Sequence, residues 1–148
     1  MKISWISLFA CLAVLLAVCA SGCSTTETVL AGEERAEVLA YAEPITDNLL
    51  QGFNEDNYSM YSRDFSSQMR EELDEAAFRE SREFIVSRIG LYLERDDPVV
   101  TRNGEYVAVN YRADFEHEQG VAVRVVFLED DESHQIQGLW FDSPKLRG

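Results

Sequence analysis

Residues 106–127, YVAVNYRADFEHEQGVAVRVVF, decide the fold. Val107, Val109, Tyr111, Ala113 and Phe115 alternate with Asn110, Arg112, Asp114 and Glu116. Beyond Gly120 the same period of two returns in Val121, Val123, Val125 and Phe127. Successive side chains of a strand point to opposite faces, so each run has one buried and one wetter side. Working back from this pair, Asn103-Gly104 supplies a two-residue hairpin turn, because both central positions of such a turn need positive φ. Leu91–Leu93 and Val99–Arg102 read as strand pieces interrupted by Asp96-Asp97-Pro98. Working forward, Glu129-Asp130-Asp131-Glu132 reads as an acidic turn and Gln135–Phe141 as a last strand.

Upstream of Gly90 the apolar period lengthens to that of a helix. Val38, Tyr41, Ile45, Leu49 and Phe53 recur at three- and four-residue spacing, which sets them on one stripe of a helix from Glu33 to about Asn54. Pro44 removes a backbone donor inside that helix and is expected to kink or split it. Asp56-Asn57, Ser66 or Ser67, and Asp74 are candidate caps of later helices, the last of which carries Phe78, Ile85 and Ile89 and stops at Gly90. Helices first and an antiparallel meander second predict an α+β fold, with N-terminal helices packed on a curved sheet of three or four strands.

The start of the chain has a different character. Lys2 precedes the apolar run FACLAVLLAVCA, which closes in Ala20-Ser21-Gly22-Cys23. A positive residue, a short apolar stretch and small residues before a cysteine have the form of a lipoprotein signal. The usual pattern has Leu where this chain has Ala20. Ordinary cleavage near Ala20–Gly22 and an uncleaved membrane anchor therefore stand as alternatives to lipidation. The expected organisation is a lipoprotein signal peptide over residues 1–22, a lipidated flexible tether over 23–32 with Cys23 as the acylated residue, and a folded domain over 33–148. The chain then sits on a cell membrane or outer envelope, facing out of the cytoplasm and anchored through the lipid on Cys23.

Composition narrows the partners. A formal charge of −14 over 148 residues repels nucleic acid and anionic headgroups, so no nucleic acid is expected as a partner. After Lys2, Lys145 is the only lysine, and arginine supplies the remaining positive charge. All three cysteines fall at or before Cys23, so the domain is expected to hold together without a disulfide. No cofactor or metal is expected. The two histidines, His117 and His134, stand near turns, and the acidic turn at 129–132 lacks calcium-loop spacing. The GxSxG pattern of an acyl-transfer nucleophile is absent.

TDNLLQGFNEDNYSMYSRDF (Thr46–Phe65) and GLWFDSPKL (Gly138–Leu146) resemble a family of small secreted or lipid-anchored domains of unknown function with an NTF2-like, cystatin-like fold. The resemblance covers roughly Glu33 to Leu146 and implies a cone of helices and curved sheet around a pocket. Enzymes of that fold class place an acid or base inside the cone. The candidates for such a group here are Asp64, Asp114 and Tyr111, of which only Tyr111 lies on the inward face.

Strict alternation along the last strand puts Ile136 and Trp140 inward beside Tyr111, as residues lining a pocket or filling the core. It puts Leu139 and Phe141 outward with Tyr106, Ala108, Val126 and Leu128, as an interface that a protein partner, a second copy or the chain's own tail would cover. The reading is a membrane-anchored, non-catalytic binding or interaction domain for a protein partner or a small apolar ligand. An isomerase or hydrolase acting in the pocket is the alternative, and a structural envelope role a third. Cys23→Ser is expected to abolish acylation and membrane retention, measured by mass spectrometry and vesicle sedimentation. A serine variant that still pellets with vesicles and is processed normally would overturn the anchor.

Overall fold

The computed structural model describes residues 26–148. The expected signal peptide over 1–22 and the expected lipidation position Cys23 lie outside the described residues. A short strand β1 (Thr28–Val29) leads into a long helix α1 (Gly32–Asn54). Three more helices follow: α2 (Tyr58–Tyr61), α3 (Ser67–Glu72) and α4 (Glu75–Ile89). The chain then enters strands β2 (Tyr92–Arg95), β3 (Val99–Asn103), β4 (Tyr106–Phe115), β5 (Glu118–Leu128) and β6 (Ile136–Asp142). The architecture is α+β, helices followed by antiparallel sheet.

The sheet has six strands where three or four were expected. One addition is β1, inside the stretch read as a flexible tether. Thr28 and Val29 pair with Arg102 and Thr101, and the Leu30 amide donates to the Val100 carbonyl at 2.9 Å. Leu30 is buried there, and that apolar burial holds down a segment whose polar composition reads as a linker. The other addition is β2, which pairs with the far end of β4 through Tyr92↔Phe115 and Arg95↔Ala113. The Asp96-Asp97-Pro98 interruption thus separates two strands that share one edge of β4. On its opposite edge β4 pairs with β5 from Tyr106↔Leu128 to Ala113↔Val121.

One face of the sheet is dry. Val107, Val109, Ala113, Val121, Val125, Phe127 and Ile136 have no measurable exposure, as the alternation required. Helix α1 crosses this face diagonally: Tyr41 meets Phe127 edge-on, Thr46 meets Tyr111, and Phe53 packs on Phe115 and Phe141. Its buried stripe is Val38, Ala42, Thr46, Leu49, Leu50 and Phe53, with Tyr41 and Ile45 only partly covered.

Pro44 does not break α1, which runs unbroken for 23 residues. Pro44 is exposed, and so is Ala40, whose carbonyl loses its donor, so water can reach the freed oxygen. Buried residues on either side of Pro44 keep both halves seated on the sheet. The helix starts follow the sequence, since the side chains of Asn57, Ser66 and Asp74 accept from the amides of Met60, Met69 and Ala77. Gly90, at φ 82°, ends α4 in a conformation that a side chain resists.

The largest departure lies in β6. Val126 pairs with Gly138 but Phe127 pairs with Ile136, so Gln137 is an extra residue that reverses the alternation. Ile136 stays inward. Leu139 and Phe141, expected outside, face inward opposite Val125 and Val123, and Phe141 packs between the Phe53 and Phe115 rings. Trp140, expected inside, stands on the outer face at 56% exposure. Alternation cannot reveal a bulge, because the extra residue shifts phase without leaving a mark in the pattern.

Helices α1 and α2 approach closely at Gly52, where a Cβ would lie 2.5 Å from the Tyr61 amide nitrogen and 2.8 Å from its Cα. Backbone cannot move aside as a side chain does. Gly52→Ala is therefore expected to destabilise the fold by about 2–3 kcal/mol in chemical denaturation. A variant as stable as the parent would show that the approach is not this tight.

Candidate functional site

The outer face of the sheet carries an open concavity. Ala108, Val126 and Gly138 align across β4, β5 and β6 on this face, with Val126 lining the concavity. Tyr106 stands on one side, opposite Leu128, and Trp140 on the other, opposite Arg124. The Asn103–Glu105 turn and Gln137 complete an open groove of about 830 Å³. Ala108 and Val126 are nearly covered, whereas Tyr106 and Trp140 are 45% and 56% exposed. The six-membered ring of Trp140 occupies the space that a Cβ on Gly138 would take, 2.5 Å from that position. Glycine at 138 is what lets the ring settle toward the strand, and the bulge at Gln137 is what turns it outward.

Arg124 connects this groove to a polar cluster farther across the face. Its guanidinium pairs with the Glu27 carboxylate at 3.2 Å and donates to the Asn110 side-chain oxygen at 2.9 Å. Thr101 donates its hydroxyl to Glu27 at 2.7 Å. The Thr101 hydroxyl and the Arg124 guanidinium together hold the Glu27 carboxyl below its ordinary 4.5. A residue just ahead of β1 thus ties the start of the domain to the outer faces of β3 and β5. On the far side of β6, Phe84, Ile85, Phe141 and Leu146 line a smaller apolar gap of about 360 Å³, and Trp140 stands at its rim as well.

The inner face offers a different constellation. Tyr111 donates its hydroxyl to Glu43 at 2.9 Å, and that hydroxyl lies 3.2 Å from the Thr46 hydroxyl. Arg95 sits over the Tyr111 ring, 4.6 Å from its centroid, and bridges Glu43 at 3.1 Å and Asp47 at 2.7 Å. Tyr111 is 2% exposed, and burial pushes its phenol far above the ordinary 10, so it stays protonated at any physiological pH. The arrangement fits a satisfied buried hydroxyl joining α1 to β4. Ile136 is likewise fully buried.

The remaining candidates are dispersed. Asp64 binds Arg63 and gives its carbonyl to the Ile136 amide, and Asp114 accepts from the Gly120 amide at 2.9 Å. Neither stands beside Tyr111. His117 is exposed, and His134, at φ 47°, stacks flat on Tyr41 with centroids 3.9 Å apart. In the acidic turn, Glu129 pairs with Arg102 and Asp131 is bound by Ser133. Among the described residues no three His, Cys, Asp or Glu side chains gather as a metal site, and no helix is long and apolar enough to cross a membrane.

Of the residues expected to form an interface, the structure brings Tyr106 and Val126 together in the groove with Leu128 at its edge, and takes Leu139 and Phe141 away. It adds Trp140, which sequence reasoning had put in the pocket, together with Arg124, Gln137 and the Asn103–Glu105 turn, none of which it had singled out as site residues. For Arg124 a signal was present, as the one charged side chain in the valine run 121–127. For Gln137 there was none.

Comparison with known proteins gives a match over residues 46–139 to the family described as "Protein of unknown function (DUF3887)". No curated protein and no solved structure matches the chain.

The Glu27 latch has a defined pH dependence. Its carboxyl is lowered in the folded state, so its contribution is fully present above the ordinary 4.5 and is lost as pH falls through the lowered value. Hydrogen exchange at the Leu30 amide is expected to accelerate across that acidic window relative to core amides. Glu27→Gln should remove the dependence, and an unchanged profile in that variant would assign it to another group.

Proposed function

We propose, for a chain that belongs to the DUF3887 family of proteins of unknown function, that it is a lipid-tethered recognition domain displayed outside the cytoplasm. On this reading it binds through the outer-face groove and performs no catalysis. The observation that carries the reading is the pair of half-exposed aromatic side chains, Tyr106 and Trp140, lining one concavity with the nearly covered Val126. Leaving a tryptophan in water forfeits the gain from burying a large apolar surface, and concave sites with aromatic walls and a few polar groups are where ligands bind. The NTF2-like, cystatin-like cone is part of the same proposal, supported by the order of helices and sheet and by the packing of α1 on one sheet face. The anchor rests on the form of the leader that closes at Cys23.

The inner face supports the non-catalytic reading. In its tyrosine–carboxylate pair the phenol is buried and its proton is held by desolvation, the opposite of the tuning that general acid–base catalysis needs. A photo-reactive amino acid at position 106 of the full-length chain, in its native cells, should yield a discrete adduct, whereas the same group at exposed Glu80 on α4 should not. Tyr111→Phe should keep the adduct while lowering stability by about 1 kcal/mol, the scale of one hydrogen bond. Equal labelling at 106 and 80 would defeat the groove as the binding site. Loss of the adduct in Tyr111→Phe at unchanged fold would favour the inner face instead.

A further inference from the structure

We infer that the groove takes a neutral glycan segment, a chain of pyranose rings without acidic groups. This inference rests on the proposal that the groove is the binding site. It follows from the kinds of group that meet there. A pyranose has an apolar face of axial C–H bonds and an equatorial rim of hydroxyls, each of which both donates and accepts. Its binding site therefore needs aromatic surface and planar polar groups of both senses close together.

The outer face has both. Tyr106 and Trp140 supply the aromatic surface, and the polar side chains around it are mixed: Asn103 and Gln137 carry amides that donate and accept, Arg124 donates and Glu105 accepts. Between the two aromatic side chains the groove is lined by Val126, with Ala108 beside it in register, so no bulky side chain separates a bound ring from either aromatic. The space of about 830 Å³ lies within the range of small-molecule sites and is open along its length, as an extended chain requires.

Charge separates this ligand from the other occupants of such a face. The chain carries −14, so a second copy, an acidic glycan or a nucleic acid would approach against long-range repulsion. The guanidinium at the groove, Arg124, is already paired with Glu27 and offers hydrogen bonds more readily than net positive charge. A purely apolar ligand would have to strip water from the Asn103, Glu105 and Gln137 side chains without replacing those hydrogen bonds, which is unfavourable. An uncharged polyhydroxyl chain meets none of these obstacles.

The test uses the mature chain lipidated at Cys23, in detergent; removal of residues 1–22 takes Trp5 with it and leaves Trp140 as the sole tryptophan, so its emission is a direct readout of the groove. Tetramers of N-acetylglucosamine, glucose and mannose are titrated up to millimolar concentration, with calorimetry in parallel. At least one tetramer is expected to shift Trp140 emission saturably. Trp140→Ala and Tyr106→Ala should each weaken its binding, read by calorimetry, about tenfold or more. Trp140→Phe should retain most of it, and thermal unfolding should be unchanged in all three.

If none of the three tetramers shifts Trp140 emission or gives a heat of binding, the glycan assignment is overturned. The photo-adduct at position 106 would then still report the groove as a binding site. Tetramer binding that survives both alanine substitutions would place the sugar elsewhere and overturn the assignment equally. A protein adduct at position 106 with no tetramer binding would make the groove a protein-docking surface.

Discussion

One-sided burial of β4 and β5 organises this molecule. Their inner positions form an unbroken apolar surface of valines and aromatic residues, and only a long helix laid across it can remove that surface from water. Helix α1 does so from Tyr41 to Phe53, and the short helices α2 and α3 then bring Tyr61, Phe65 and Met69 into the same core. With the helices committed to one face, the opposite face is left to arginines, amides and two aromatic side chains, and the open groove lies there.

The groove depends on a local break in strand geometry more than on any single side chain. Had β6 kept strict alternation, Trp140 would have filled the core and Phe141 would have faced solvent. The extra residue at Gln137 exchanges them. Phe141 then completes an aromatic cluster with Phe53 and Phe115, while the Trp140 ring settles into the space left by Gly138. Bulges redirect side chains at the cost of a ladder hydrogen bond. Here the same displacement seals the core and furnishes the outer face.

Polar contacts divide by face in a parallel way. Inside, Glu43 and Thr46 satisfy the Tyr111 hydroxyl between helix and sheet, which keeps a buried hydroxyl from being a liability. Outside, Glu27, Thr101, Asn110 and Arg124 span β3, β4 and β5 and hold the segment that precedes β1. The folded part therefore begins upstream of the point where composition alone would start it.

The amino-acid sequence by itself determined the α+β class, the succession of helices and then strands from Glu33 onward, capping at Asp56-Asn57, at Ser66 or Ser67 and at Asp74, and the inward row from Val107 to Phe127. These are local properties, carried by periodicity, turn residues and capping side chains that act within a few positions. Tertiary structure decided the rest. Docking of β1 depends on Leu30 finding a buried place beside Val100, and continuity of α1 through Pro44 depends on packing on both sides of it. The facing of Leu139, Trp140 and Phe141 depends on a register that β6 adopts only against β5. In each of these the deciding partner lies far away along the chain, so no local pattern could show it.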